Sequence, residues 1–261
     1  MERTDGSYLA RWAAAGAGEG ADRGRVVWVT GAGSGMGRAC ALRAGRAGRR
    51  VVVSGRRPEA VAATVGDIEA AGGLALAVPL DVRDRAAVAA AHADIESAWG
   101  PVADLVLAAG LNAPNRGWQD QDLDGFTAIV DTNLTGVVSV VDAVLPGMRA
   151  AGGGSIVVVS SWSAWRFTPM AGVAYSASKT ALSSVCATLN DQEGAHGIRV
   201  CHLCPGDVDT DFLRLRPQVP GAEARAAMLS PDDIAETVQF VLDRPANVRI
   251  DELVVSPVRQ R

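Results

Sequence analysis

The chain has 261 residues, 48% of them hydrophobic, enough to bury the core of one α/β domain. Its 25 basic and 29 acidic residues leave a formal charge of −4 with both signs interspersed, which argues against a nucleic-acid or anionic-lipid partner and favours a small neutral or anionic substrate. Four cysteines (Cys40, Cys186, Cys201, Cys204) are too few and too scattered for a disulfide framework, so a reducing cytoplasm is expected.

The opening MERTDGSYLARW lacks the basic-then-apolar order of a signal peptide, and no apolar stretch approaches a membrane span. Residues 1–24, ending in GAGEGADRG, are expected to form a flexible extension. From residue 25 to 261 short apolar runs alternate with Ala-rich amphipathic segments: RVVWVT (25–30), VVVSG (51–55), LALAVPL (74–80), DLVLAA (104–109), SIVVVS (155–160), IRVCHL (198–203) and ELVVS (252–256). That alternation is the pattern of βαβ units feeding a parallel sheet, and continuous apolar strands imply helices on both faces. One doubly wound α/β domain is predicted.

Directly after the first run comes TGAGSGMGRA (30–39), with glycines at 31, 33, 35 and 37 leading into a helical pattern. Glycines permit a tight turn and close backbone approach to a pyrophosphate, which the free N–H groups of a helix start would hold. Plain strand-to-helix connections carry such runs too, so the position after the first strand is what gives this one weight. The end of the second strand, Ser54-Gly55-Arg56-Arg57, offers no carboxylate for a ribose 2′-OH and two guanidinium groups for a 2′-phosphate. NADP is therefore favoured, with NAD as the alternative; solvated helix-start arginines are the plain reading of the same residues.

In AYSASKTALSSVCATL (174–189) Tyr175 and Lys179 stand four apart, on one face of a helix. A free tyrosine has a pKa near ~10, and a neighbouring ammonium favours its phenolate. Lys179 is the only lysine among the 25 basic residues, and Tyr175 is one of two tyrosines. A chain that uses arginine everywhere else has a compact ammonium at one place, which points to a chemical requirement there. The histidines His92, His196 and His202 form no ligand or base pattern, and Cys201 and Cys204 point to opposite faces of a strand, so no metal is expected.

With these motifs in this order the chain resembles the short-chain dehydrogenase/reductase family, which implies a Rossmann-like fold and alcohol/carbonyl oxidoreduction. The resemblance assigns the cofactor turn to Gly31, Gly33, Ser34, Gly35, Met36 and Gly37, and the adenine contact to Asp81 and Val82. It places Ala109 and Gly110 where the family has N-N-A-G, with Leu107 and Ala108 replacing both asparagines. It gives Lys179 the nicotinamide ribose, Ser161 the substrate oxygen (with Ser160 and Ser163 as neighbours), Tyr175 the proton, and Asn133 a water in the proton path. Pro205, Gly206, Val208 and Thr210 match P-G-x-V-x-T, with Thr210 on the carboxamide.

Trp118, Trp162, Trp165, Phe167 and Phe212 flank the expected site as an apolar wall or as ordinary packing, and Arg166 is a candidate for a substrate carboxylate or a surface pair. The C-terminal NVRIDELVVSPVRQ resembles the ending of short-chain reductases that act on 3-hydroxy acids and serine-like substrates, a branch that commonly prefers NADP. The family resemblance also implies a homotetramer or homodimer through helices including 134–150 and 174–193. A non-catalytic dinucleotide sensor on this fold would not need Ser161, Tyr175 and Lys179 together. An epimerase or dehydratase using the same Tyr/Lys pair would carry a larger C-terminal region.

Overall fold

The computed structural model describes residues 24–260. The flexible extension expected over 1–24 lies, but for Gly24, outside the described residues. Seven parallel strands, in the order β3-β2-β1-β4-β5-β6-β7, form a single sheet. They are β1 (Val26–Thr30), β2 (Arg50–Gly55), β3 (Leu74–Pro79), β4 (Val102–Leu107), β5 (Gly154–Val159), β6 (Ile198–Pro205) and β7 (Glu252–Val255). The single doubly wound α/β domain predicted from the alternating runs is what forms.

Each strand divides its side chains between two cores, as the two-residue period requires. Val27, Val29, Val51 and Val53 face α1 (Gly35–Arg46), α2 (Pro58–Ala70) and the C-terminal helix Pro231–Leu242. Val26, Trp28, Val52 and Leu105 face α3 (Arg85–Trp99) and two later helices. Trp28 buries its indole N–H by donating to Ser54 Oγ at 2.7 Å and stacks on His92, so this histidine has a packing role.

The first of the later helices is α4 (Leu123–Val130), which runs through a widened turn at Asp131–Thr135 into α5 (Gly136–Ala150). Contrary to the expectation that no apolar stretch approaches a membrane span, 123–150 taken together is long and apolar enough to cross one, by length and composition. Its apolarity has a local cause: Val137, Val140, Val141, Val144 and Met148 pack on the sheet. After β5 come the short α6 (Trp162–Trp165) and then α7 (Val173–Glu193), the helix of Tyr175 and Lys179. Beyond β6 lie α8 (Ala222–Ala226) and α9 (Pro231–Leu242), the latter started by a capping box between Ser230 and Asp233. Strand order reverses between β1 and β4, which opens a crevice at the carboxyl ends of the strands.

Candidate active site

That crevice is a cleft of about 640 Å³, within the range of ligand sites of ~300–1,000 Å³. Its nucleotide end is built from backbone. Gly31 has φ +65, and a Cβ there would come within 2.7 Å of the Ala108 and Ala109 backbone, so only glycine lets the turn lie against the end of β4. Ala109 N–H donates to Thr30 Oγ1 at 3.4 Å, so the β1 and β4 ends are tied without the two asparagines that Leu107 and Ala108 replace. Gly35, at φ +53, opens α1 and faces the Thr210 methyl. Gly33, Ser34, Met36 and Gly37 complete this wall.

Arg56 and Arg57 are exposed at its rim, and among the described residues neither has a carboxylate in ion-pair distance. Asp81 and Val82 line the same end. Arg83 donates to both Asp81 oxygens, at 2.7 and 3.1 Å, and holds that carboxyl below the usual range. A glycine cradle, two guanidinium groups without an ion-pair partner among the described residues and a cleft of this volume fit a dinucleotide.

At the other end, Lys179 is buried and its Nζ donates to Val159 O at 2.8 Å. Burial lowers its pKa to about 8. The ammonium lies 5.9 Å from the Tyr175 ring centroid. Burial also pushes the Tyr175 phenol up, while a hydrogen bond with Ser161 and the charges of Arg116 and Arg216 pull it down. Arg116 and Arg216 thus act on the phenol in addition to the Lys179 ammonium over its ring. Gly110 borders this end, and a Cβ there would make ordinary contacts, 3.9 Å from Lys179 Nζ and 3.7 Å from Asn133 Oδ1.

Asn133 sits in the widened turn, fully buried, accepting from Leu111 N at 2.7 Å and donating to Leu111 O at 2.9 Å and Ser178 Oγ at 3.2 Å. Its amide therefore braces the backbone beside the cleft. Such one-turn insertions recur at functional sites because they re-aim a single side chain. Ser161 accepts from Ser163 N at 3.2 Å and caps α6, while Ser160 lines the cleft and donates to Lys179 O at 3.2 Å. Tyr175, Lys179 and Thr210 line the cleft; Pro205, Gly206 and Val208 stand behind it, Val208 bridging Leu229 and Gly206 N–H donating to Val255 O at 2.7 Å.

Of the aromatic candidates, only Phe212 reaches the cleft, tilted against Tyr175 at 6.1 Å between centroids. Trp118 and Phe167 point outward, 84% and 85% exposed, and Trp162 packs edge-on against Trp165. Arg166 stacks on Trp165 with its guanidinium 4.5 Å from the ring centroid, a cation–π contact away from the cleft. Arg116 and Arg216 were not separable in the sequence from the other arginines, since their loops carry no periodic or motif signal. Away from the cleft, His202, Cys204 and Glu252 bring ligating atoms within 4.8 Å of one another. Burial pushes the Cys204 thiol up to about 12, the neutral form.

A strand-turn-helix glycine cradle joined through one cleft to a Tyr/Lys pair defines a nicotinamide-dependent oxidoreductase on a Rossmann-like sheet. Over residues 25–219 the sequence matches the short chain dehydrogenase family, and the chain belongs to it. It is similar to sulfoacetaldehyde reductase 2 of Chromohalobacter salexigens, 32% identical over 90% of this chain and 95% of the relative. It is likewise 32% identical to the NADP-dependent 3-hydroxy acid dehydrogenase of Salmonella typhi, covering 90% of this chain and 96% of the other. An alcohol dehydrogenase from the archaeon Thermococcus sibiricus, solved with 5-hydroxy-NADP, superposes with a TM-score of 0.81 at 28% identity, covering 91% of this chain and 98% of that one.

Proposed function

We propose that this chain interconverts a small secondary alcohol and its carbonyl with NADP(H), a 3-hydroxy acid being the substrate favoured by the terminal segment and by the activity of the Salmonella relative. The reading is carried by one observation: Tyr175 and Lys179 line the same cleft as the Gly31–Gly37 turn and the rim residues Arg56 and Arg57. Hydride exchange at the substrate carbon is the chemistry that NADP(H) supplies when bound. Gly31, Gly33, Ser34, Gly35, Met36 and Gly37 hold the pyrophosphate, Arg56 and Arg57 the 2′-phosphate, Asp81 and Val82 the adenine, and Ala109, Gly110 and Thr210 the nicotinamide side.

Ser161 orients the substrate oxygen and Tyr175 exchanges its proton. Lys179 holds the ribose and passes the proton on, and Asn133 fixes the Leu111 backbone along that path. Pro205, Gly206 and Val208 set the position of Thr210 from behind. The enzyme works in the cytoplasm as a homodimer or homotetramer, assembled through α5 and α7.

The test is fluorescence titration with NADPH and NADH, followed by a panel of 3-hydroxy acids, cyclic alcohols and aryl ketones read by nicotinamide absorbance. Binding of neither dinucleotide would falsify the reading. Tyr175→Phe should remove turnover by a factor on the order of 10²–10⁴ while leaving NADPH affinity within a few-fold. Near-normal turnover would take the proton away from Tyr175. Lys179→Arg, which keeps the charge, should also lose most turnover.

A further inference from the structure

Two arginines are buried among the described residues, and they are satisfied in different ways. Arg49, 1% exposed, has the carboxylates of Asp104 and Asp243. Arg116, 8% exposed, has no carboxylate within ion-pair distance among the described residues. Its Nε donates to Ala113 O at 2.7 Å, its Nη1 to Met170 O at 3.2 Å and its Nη2 to Leu215 O. A guanidinium has five N–H donors, so two are left over. The loop after β6 makes the contrast sharper, because each of its arginines is paired: Arg214 with Asp211, Arg216 with Asp207 and Arg225 with Asp209. A buried charge without a counter-charge is costly, and three backbone carbonyls offset that cost only in part.

Its location says which ligand. Val173 N–H donates to Arg116 O at 3.3 Å, and a Cβ on Gly172 would come within 2.5 Å of the Arg116 Cβ, so the side chain lies against the start of α7, just before Tyr175. Leu215, whose carbonyl Arg116 holds, lines the cleft beside Phe212 and Tyr175. Arg216 is near enough to disfavour the Arg116 charge, and both act on the Tyr175 phenol. The two guanidinium groups and the single carboxylate of Asp207 leave a net positive charge beside the wall that Leu215 adds to the cleft, where the lining pair Asp211 and Arg214 neutralise each other.

We propose that Arg116, with Arg216 beside it, seats a carboxylate or sulfonate group of the substrate next to Tyr175, so that acidic alcohols and oxo acids are preferred over neutral ones. The inference rests on the oxidoreductase reading above and names the residues that choose its substrate. A planar anion accepts two parallel N–H bonds from a guanidinium, and carbonyls from three segments hold the Arg116 fork in place beforehand.

Binding and turnover test it separately. With NADP⁺ present in chloride-free buffer, butyrate and propanesulfonate are titrated against neutral butyramide by calorimetry. The anions should bind on the order of 10- to 100-fold tighter than butyramide, as for a charge-assisted pair. Arg216→Gln should erase most of that ratio while leaving butyramide and NADP⁺ binding unchanged. Arg116→Gln should do so more completely, and Arg116→Lys, if the three-carbonyl tie proves necessary for folding, keeps the charge but loses the fork and should restore part of it. Equal binding of butyrate and butyramide, or an undiminished anion preference in Arg216→Gln, would overturn the proposal. Turnover of 3-hydroxybutyrate against its methyl ester should follow the same ratio, chiefly through KM. Failure of every alcohol with either dinucleotide would instead reject the oxidoreductase reading, an outcome distinct from loss of the anion-to-amide binding ratio.

Discussion

Burial brings Lys179 to about 8 from the 10.5 of an ordinary lysine, and that displacement has a sign for folding as well as for chemistry. The folded-state pKa is the lower one, so between 8 and 10.5 the unfolded chain binds the extra proton. The group therefore opposes folding in full below pH 8, by something on the order of 3 kcal/mol, and the penalty fades as pH rises towards 10.5. Lys179→Met removes it. The stability of that variant relative to wild type, measured by urea unfolding without cofactor, should be most favourable at neutral pH and should shrink steadily as pH approaches 10. The hydrogen bond lost to Val159 O shifts the comparison by a constant and does not alter its slope. Parallel stability curves would mean that the ammonium is not desolvated. Lys179 and Tyr175 were legible in the sequence because composition isolated them. Arg116 was not, because what marks it is the absence of a carboxylate around a buried fork, and only the folded loops show that.

Among elements, the strands were legible nearly to the residue, since buried parallel strands are short apolar runs with sharp ends. The clearest displacement is at β4, expected over 104–109 and observed at Val102–Leu107. The chain leaves the sheet early because Gly31 lies against the Ala108 and Ala109 backbone, a contact between distant segments that no local pattern announces. The widened turn at Asp131–Thr135 was equally hidden, since it is a change in hydrogen-bond pairing within an unbroken helical composition. At the opposite end of the strands from the cleft, fully buried Asp104 of β4 accepts from Arg25 at 2.9 Å and pairs with Arg49, which also reaches Asp243 after α9 at 2.9 Å. This ties three strand starts to a helix end. Asp104→Asn removes the charge on which two guanidinium groups converge, and breaking such a buried pair costs about 3–5 kcal/mol. The urea midpoint should fall accordingly with an unchanged slope, and NADPH affinity should stay within twofold because the cleft is at the other end of the sheet. A midpoint within error of wild type would show that Arg25 and Arg49 are satisfied without it.

For the whole molecule, the cleft joins the two halves of the sheet, so whatever fills it reports on global stability. Its position could be anticipated from the order of β and α segments alone, because a doubly wound sheet opens where strand order reverses. The NADP preference proposed above is a finer matter, resting on Arg56 and Arg57 at the rim, exposed and without carboxylate partners among the described residues. A ligand that binds only the folded chain stabilises it by RT ln(1 + [L]/Kd), about 2.7 kcal/mol at a hundredfold excess over Kd. In a chain of this size each kcal/mol moves Tm by roughly 2–4 °C, so saturating NADPH should raise Tm by about 5–10 °C. NADH at the same concentration should raise it less, because its ribose carries no phosphate for the two guanidinium groups. In the Arg56→Ser, Arg57→Ser double variant the NADPH shift should drop to the NADH value while the NADH shift persists, since the glycine turn proposed to hold the pyrophosphate is untouched. A wild-type protein stabilised more by NADH than by NADPH would reverse the preference and return both arginines to the solvated surface. Loss of both shifts in the double variant would instead mean that these residues hold the start of α2 and the turn together, a structural role that reading the rim as a phosphate site excludes.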